Sequence, residues 1–140
     1  MLIYQKPLEF HTKGRSIIDI TDSIDDIVKC SNCNMGICNV FIQHTSASLV
    51  VCENADPAVR KDVERFTQRW IPDGDPIFKH VLEGPDDMPA HLRAMLTLTS
   101  LSIPINRNKL LLGTWQGIYL WEHRTARFRR KIIVTAYGTE

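Results

Sequence analysis

The chain has 140 residues, 44% of them hydrophobic and 24% charged, which suits one globular domain over residues 1–140 with a genuine core and leaves no length for a second. A formal charge of +1 and a pI near 7.7 supply no global field for nucleic acid or an anionic membrane, so neither is expected as a partner. No apolar run approaches the roughly 18 residues that cross a bilayer, and the N-terminus lacks the basic start, apolar stretch and cleavage site of an export signal; a cytoplasmic protein is the expectation.

Residues 2–10, LIYQKPLEF, and 15–21, RSIIDIT, alternate apolar and polar side chains as strands do, and the segment HTKG between them predicts a hairpin. Pro7 confines the first strand to an edge or a bulge. Ile24, Ile27 and Val28 then follow a Thr or Asp cap at the spacing of a short amphipathic helix. Cys30, Cys33, Cys38 and Cys52 come next. The Cys30–Cys33 spacing suits zinc or redox chemistry, but no second such pair and no paired histidines accompany it. Reduced thiols are expected in a neutral chain without an export signal.

GICNVFIQH and ASLVVCEN predict two central strands. Period-2 alternation places His44 at the end of the face bearing Val40 and Ile42, and Glu53 on the face bearing Leu49 and Val51. Asp56-Pro57 opens a helix, with aspartate as cap and proline at the first helical position. Val59, Val63, Phe66 and Trp70 form its expected buried stripe, opposite the solvated Arg60, Lys61, Arg65 and Arg69. A helix started by Pro89 has Leu92, Met95, Leu96 and Thr99 on one face. LSIPI, KLLL, GIYLWEHR and RKIIVTAY complete the chain as strands. Too few helices are present to cross over between all these strands, and several links are hairpin-short. The predicted class is therefore α+β: a single compact domain of mixed, mostly antiparallel sheets with about three helices.

Polar residues gather at the ends of these elements. Gln116, Glu122 and Arg124 align with Ile118 and Leu120 on one strand face, and Gly113 and Gly117 flank Thr114-Trp115-Gln116 where backbone approaches backbone or ligand closely. The run RTARFRRK carries five basic residues around one phenylalanine and is read as a hairpin tip solvated by arginine rather than a phosphate or nucleic-acid site. HVLEGPDDMPAH sets His80, Glu83, Asp86, Asp87 and His91 around a glycine and two prolines. Two readings stay open from the residues alone. Asp86 and Asp87 would favour the positive end of a helix simply as structure; alternatively, His44 would join His80 and His91 in a three-nitrogen set of the kind zinc accepts.

QHTSASLVVCENADPAVRKDVERF, HVLEGPDDMPAH and LGTWQGIYLWEHR together resemble the motifs of the YjbQ family, also called UPF0047 or the secondary thiamine-phosphate synthase family, in order and spacing over almost the whole chain. The resemblance implies a homotrimer with a polar pocket in each copy. It implies metal ligation by His44, His80 and His91 (zinc or magnesium), catalytic roles for Glu83, Asp87, Glu122 and Arg124, and substrate binding by Glu53, Asp86, Thr114 and Gln116. The activity attached to the family joins a pyrimidine pyrophosphate to a thiazole phosphate, so a small phosphorylated metabolite is the implied partner. A hydrolase or other transferase on such a metabolite, and a non-catalytic ligand-binding trimer, are the alternatives. The cysteine-rich CSNCNMGIC departs from the family pattern.

Overall fold

The computed structural model describes residues 1–140. Eight strands and three helices run in the order β1 (Leu2–Lys13), β2 (Ser16–Asp19), α1 (Thr21–Ser31), β3 (Met35–Ile42), β4 (Ala47–Glu53), α2 (Pro57–Trp70), α3 (Asp87–Leu96), β5 (Ser100–Asn106), β6 (Lys109–Leu110), β7 (Gln116–Glu122) and β8 (Arg127–Thr139). All strand pairs are antiparallel and form two sheets, ordered β1-β8-β3-β5-β6 and β2-β7-β4. This is the expected α+β class.

Alternation builds the core. Inward rows on β3 (Cys38, Val40, Ile42), β5 (Leu101, Ile103, Ile105) and β8 (Ile132, Val134, Ala136) meet Ile24, Ile27 and Val28 of α1 and Ile118 and Leu120 of β7 in one buried cluster. Full burial of such aliphatic side chains contributes about 1.5–3 kcal/mol each. Pro7 lies on β1, an edge strand paired only with β8, as its missing N–H requires.

The expected hairpin across HTKG does not form. β1 pairs along its length with β8, whereas β2 pairs with β7 in the other sheet. Gly14, at φ +96°, turns the chain at this corner, where an added Cβ would stand 3.1 Å from the Thr125 carbonyl oxygen. The local pattern identified both strands, but alternation carries no information about which partner a strand takes. β4 is likewise an edge rather than a central strand, and β7 between β2 and β4 is buried on both faces.

The helices also depart from their expected faces. Asp56 caps α2 by accepting from the Ala58 N–H at 2.9 Å, with Pro57 in the first turn, but Phe66 and Trp70 remain more than half exposed and Thr67 is the only fully buried residue of α2. α3 begins at Asp87, two residues before the proline, and buries Asp87, Pro89, Ala90 and Arg93 while leaving Met95 and Leu96 open. Its inner face holds a charged residue because Glu64 of α2 supplies an ion pair to Arg93 at 2.8 Å.

Candidate functional site

The start of α3 and the end of β7 are tied together by one arginine. Arg124 donates from Nε to Asp86 Oδ2 at 2.9 Å, pairs through Nη1 with Asp87 Oδ1 at 2.9 Å, and donates from Nη2 to the Glu83 carbonyl at 2.9 Å. The Thr125 N–H adds a bond to Asp86 Oδ2 at 3.0 Å. Burial alone would raise the Asp86 carboxyl, but the Thr125 N–H and the Arg124 guanidinium outweigh it and bring its pKa down to about 2. Asp86 and Arg124, expected in substrate binding and catalysis, thus spend their polar atoms on positioning the loop and the helix start.

The arrangement leaves Asp87 Oδ2 facing two imidazoles: His80 Nε2 at 2.7 Å and His91 Nε2 at 3.1 Å, with ring centroids 5.3 Å apart. The three side-chain ligand atoms lie within 4.8 Å of one another. His91 Nδ1 stands 3.0 Å from the Thr45 carbonyl, which can only accept, so Nδ1 carries a proton. Its Nε2 is the nitrogen turned toward Asp87 Oδ2. Burial would raise the Asp87 carboxyl, yet the His80 hydrogen bond and the charges of His91 and Arg124 hold it below its ordinary value. Asp87 is buried, His91 is partly covered and the His80 side chain is half exposed, so the cluster opens to solvent on the His80 side.

His44 does not belong to this group. Its Nε2 accepts the Lys131 N–H at 2.8 Å, which places the neutral ring's proton on Nδ1 and leaves neither nitrogen free to ligate. Burial and the neighbouring Arg130 charge lower its pKa, favouring that neutral form. Asp87 takes the place expected of a third imidazole. Glu122, expected to be catalytic, is fully buried: Oε1 accepts from Thr12 Oγ1 and Arg130 Nε, and Oε2 from Arg130 Nη2 and the Arg124 N–H. With both oxygens saturated it supports the site's floor and has no free lone pair for proton transfer.

Glu53, Thr114 and Gln116 are not brought to the cluster within one chain. The Ala47–Glu122 pair lies at one end of the β4–β7 ladder and Glu53–Gln116 at the other, roughly 20 Å away at about 3.3 Å per residue. Glu53 Oε2 accepts the N–H groups of Ala55 and Asp56 ahead of α2, and Gln116 Oε1 closes a tight turn onto the Gly113 N–H. Thr114 is exposed in that turn. The Glu83 side chain is also exposed; its carbonyl, not its carboxylate, contacts Arg124.

Sequence reasoning missed Arg130 and His123. Arg130 precedes Ile132 and Val134 on the inward face of β8, so the same alternation that found the core could have exposed a buried cation needing a partner. His123 continues the buried run of β7 and is sealed against Ser48 Oγ at 2.8 Å, with Thr97 Oγ1 bonded to the same hydroxyl. The cysteines carry no disulfide; Cys33 and Cys38 are buried, and burial pushes the Cys38 thiol up to about 12, where it is inert. No helix is long and apolar enough to cross a membrane.

The UPF0047 protein YjbQ-like family matches residues 6–139. A UPF0047 protein of Synechocystis is 44% identical over 135 residues, covering 96% of this chain and 92% of its own. UPF0047 protein YjbQ of Escherichia coli O157:H7 is 43% identical over 136 residues, covering 96% and 98%. Among solved structures, a YbjQ-like protein of unknown function from Sulfolobus solfataricus superposes with a TM-score of 0.85 at 27% identity over 97% of this chain and 99% of its own. An uncharacterized conserved protein of the yjbq/upf0047 family from Clostridium acetobutylicum has a TM-score of 0.82 at 36% identity, covering 93% and 99%. The chain therefore belongs to the YjbQ-like UPF0047 protein family.

Proposed function

We propose that the protein is a metal-assisted enzyme acting on a small phosphorylated metabolite, and that joining a pyrimidine pyrophosphate to a thiazole phosphate is a secondary activity of its site. The observation that supports this is the convergence of His80 Nε2, His91 Nε2 and Asp87 Oδ2 on one point beside solvent. Two imidazoles and a carboxylate match the donor set of a zinc site that keeps an open position, and favour zinc over magnesium, which prefers oxygen ligands. Tetrahedral zinc with ligands at about 2.0–2.1 Å separates its donors by about 3.3 Å; here two separations are 2.7 and 3.1 Å and all three donors lie within 4.8 Å, so the ligands would adjust on binding. The Thr45 carbonyl on His91 Nδ1 and the Arg124 clamp on Asp87 orient the ligands from behind, as metal sites require.

Bound metal would supply Lewis acidity for a phosphate leaving group. The protein's own part is separate: Arg124 fixes Asp87, Asp87 fixes both imidazoles, and the exposed Glu83 offers a carboxylate for proton transfer on the solvent side. Zinc titration by calorimetry, paired with a thiamine-phosphate formation assay, tests the reading. His80→Ala/His91→Ala should abolish both signals, and full turnover by rigorously chelated protein would overturn the metal's role.

A homotrimer is part of the same reading. The uncovered Phe66 and Trp70 of α2 and Leu96 of α3 line one surface groove that association would bury. Light scattering at micromolar concentration should give a trimer; a stable species of 16.1 kDa would contradict it.

A further inference from the structure

Ahead of Ile132, residues 127–131 of β8 have no ladder pairing with β3 and form a two-stranded ribbon with β1 alone. Two-stranded ribbons coil strongly, and here the coiling shapes a cleft of about 470 Å³ lined by His11, Thr12, Lys13, Arg127, Phe128 and Arg129. Alternation sorts these residues: Thr12 and Phe128 lie on the covered side, whereas His11, Lys13, Arg127 and Arg129 are exposed. The register sets Lys13 directly opposite Arg127 and His11 directly opposite Arg129. Like charges placed opposite one another destabilise a sheet, so the Lys13–Arg127 pair does not serve the fold. Glu9 compensates Arg129 at 3.2 Å and lies 3.8 Å from His11. No salt bridge joins Lys13 or Arg127 to a carboxylate, and no acid lines the cleft.

We propose that this cleft is a binding site for a diphosphate group. Successive outward positions on a strand lie about 6.7 Å apart, so a single phosphate meets one cross-strand pair, whereas two linked phosphates reach both. The Phe128 ring is already covered by guanidinium groups, with Arg130 Cζ 4.6 Å and Arg124 Cζ 5.0 Å from its centroid. Guanidinium groups already compete for this ring, and the exposed cations around it favour phosphate over base. The corner at Gly14 packs this end of the ribbon against Thr125, whose N–H binds Asp86, so the cleft adjoins the loop that anchors the His80–Asp87–His91 cluster. The proposal does not depend on metal at that cluster.

Calorimetric titration of the full chain with sodium pyrophosphate, in chelator and at low ionic strength, tests it. Wild type should bind saturably and more tightly than it binds inorganic phosphate, with affinity falling as salt rises. Lys13→Ala/Arg127→Ala should weaken pyrophosphate binding about tenfold or more, with an unchanged or raised melting temperature because a repulsive pair is removed. Lys13→Glu creates an attractive cross-strand pair with Arg127, so it should keep the fold while losing the ligand. His80→Ala/His91→Ala should bind pyrophosphate as wild type does, which separates this site from the metal reading. Absence of saturable binding by wild type would overturn the proposal, as would undiminished binding by Lys13→Glu, lost binding by the double histidine variant, or binding of a single-stranded RNA oligomer without any of pyrophosphate.

Discussion

His91 and His123 lie within one small domain, and their surroundings assign them opposite work. His123 is fully buried, its Nε2 held by Ser48 and its Nδ1 without a partner, and burial together with the charges of Arg93, Arg15 and Arg130 pushes its pKa down to about 3. It is a neutral packing residue. His91 stands beside solvent with its Nδ1 proton assigned by Thr45 and its Nε2 turned toward a carboxylate shared with His80. The two acids divide in the same way: Glu122 is saturated by Arg130, Thr12 and a backbone N–H, whereas Asp87 keeps one oxygen for the imidazoles. Accessibility and the number of committed lone pairs, not residue type, separate chemistry from architecture.

The largest effect should come from the sealed side. Glu122→Gln leaves Arg130 buried without its counter-ion and should destabilise the protein by about 3–5 kcal/mol, read by urea denaturation; a variant as stable as wild type would erase the distinction between the two acids. On the open side, Asp87→Asn should lower turnover by about 10²-fold or more with a smaller loss of stability, measured by the thiamine-phosphate assay beside a melting curve. Wild-type turnover in this variant would return the cluster to structure.

The contrast is sharpened further by pH. Unfolded chain protonates His123 near pH 6.5 while the folded state refuses the proton until about pH 3, so across that window the unfolded state binds more protons. Stability contributed by a neutral His123 is therefore complete above pH 6.5 and lost on acidification, at up to about 1.4 kcal/mol per pH unit. His123→Gln should flatten the stability profile in this range, and an unchanged slope would show that the ring is not sealed. Asp56→Ala, far from both regions, provides the smallest step: loss of the α2 cap should cost about 0.5–2 kcal/mol without altering zinc or pyrophosphate binding in calorimetry.

Much of the fold was legible because its signals are local. Period-2 runs located the strands, Pro7 an edge, and Asp56-Pro57 a capped helix start, each enforced by neighbouring backbone. What local pattern cannot encode is pairing, and so the β1–β2 hairpin was expected where the chain instead changes sheets. The closeness of His80, Asp87 and His91 was legible in HVLEGPDDMPAH, which places all three within twelve residues. His44 was misassigned because sequence places it at a strand end without revealing that the Lys131 N–H reaches its nitrogen first. Glu53 and Gln116 were grouped with Glu122 through the family resemblance, which says nothing of distance along the ladder within one chain. The exposed stripe of α2 shows the same limit from another side: helical spacing locates an apolar face but does not name what covers it.

β8 lies between β1 and β3, so the five-stranded sheet is continuous only once this strand is in place. Its contacts with β1 join residues as distant as Leu2 and Gly138, 136 positions apart. Such non-local pairing demands a large loop closure before any ladder bond repays it, which sets folding on the millisecond-to-second scale of β-rich topologies rather than the microseconds of helical bundles. Until that closure, β1 and β3 present unpaired edges, and crowding in the unfolded ensemble becomes the condition under which this chain is most prone to associate wrongly.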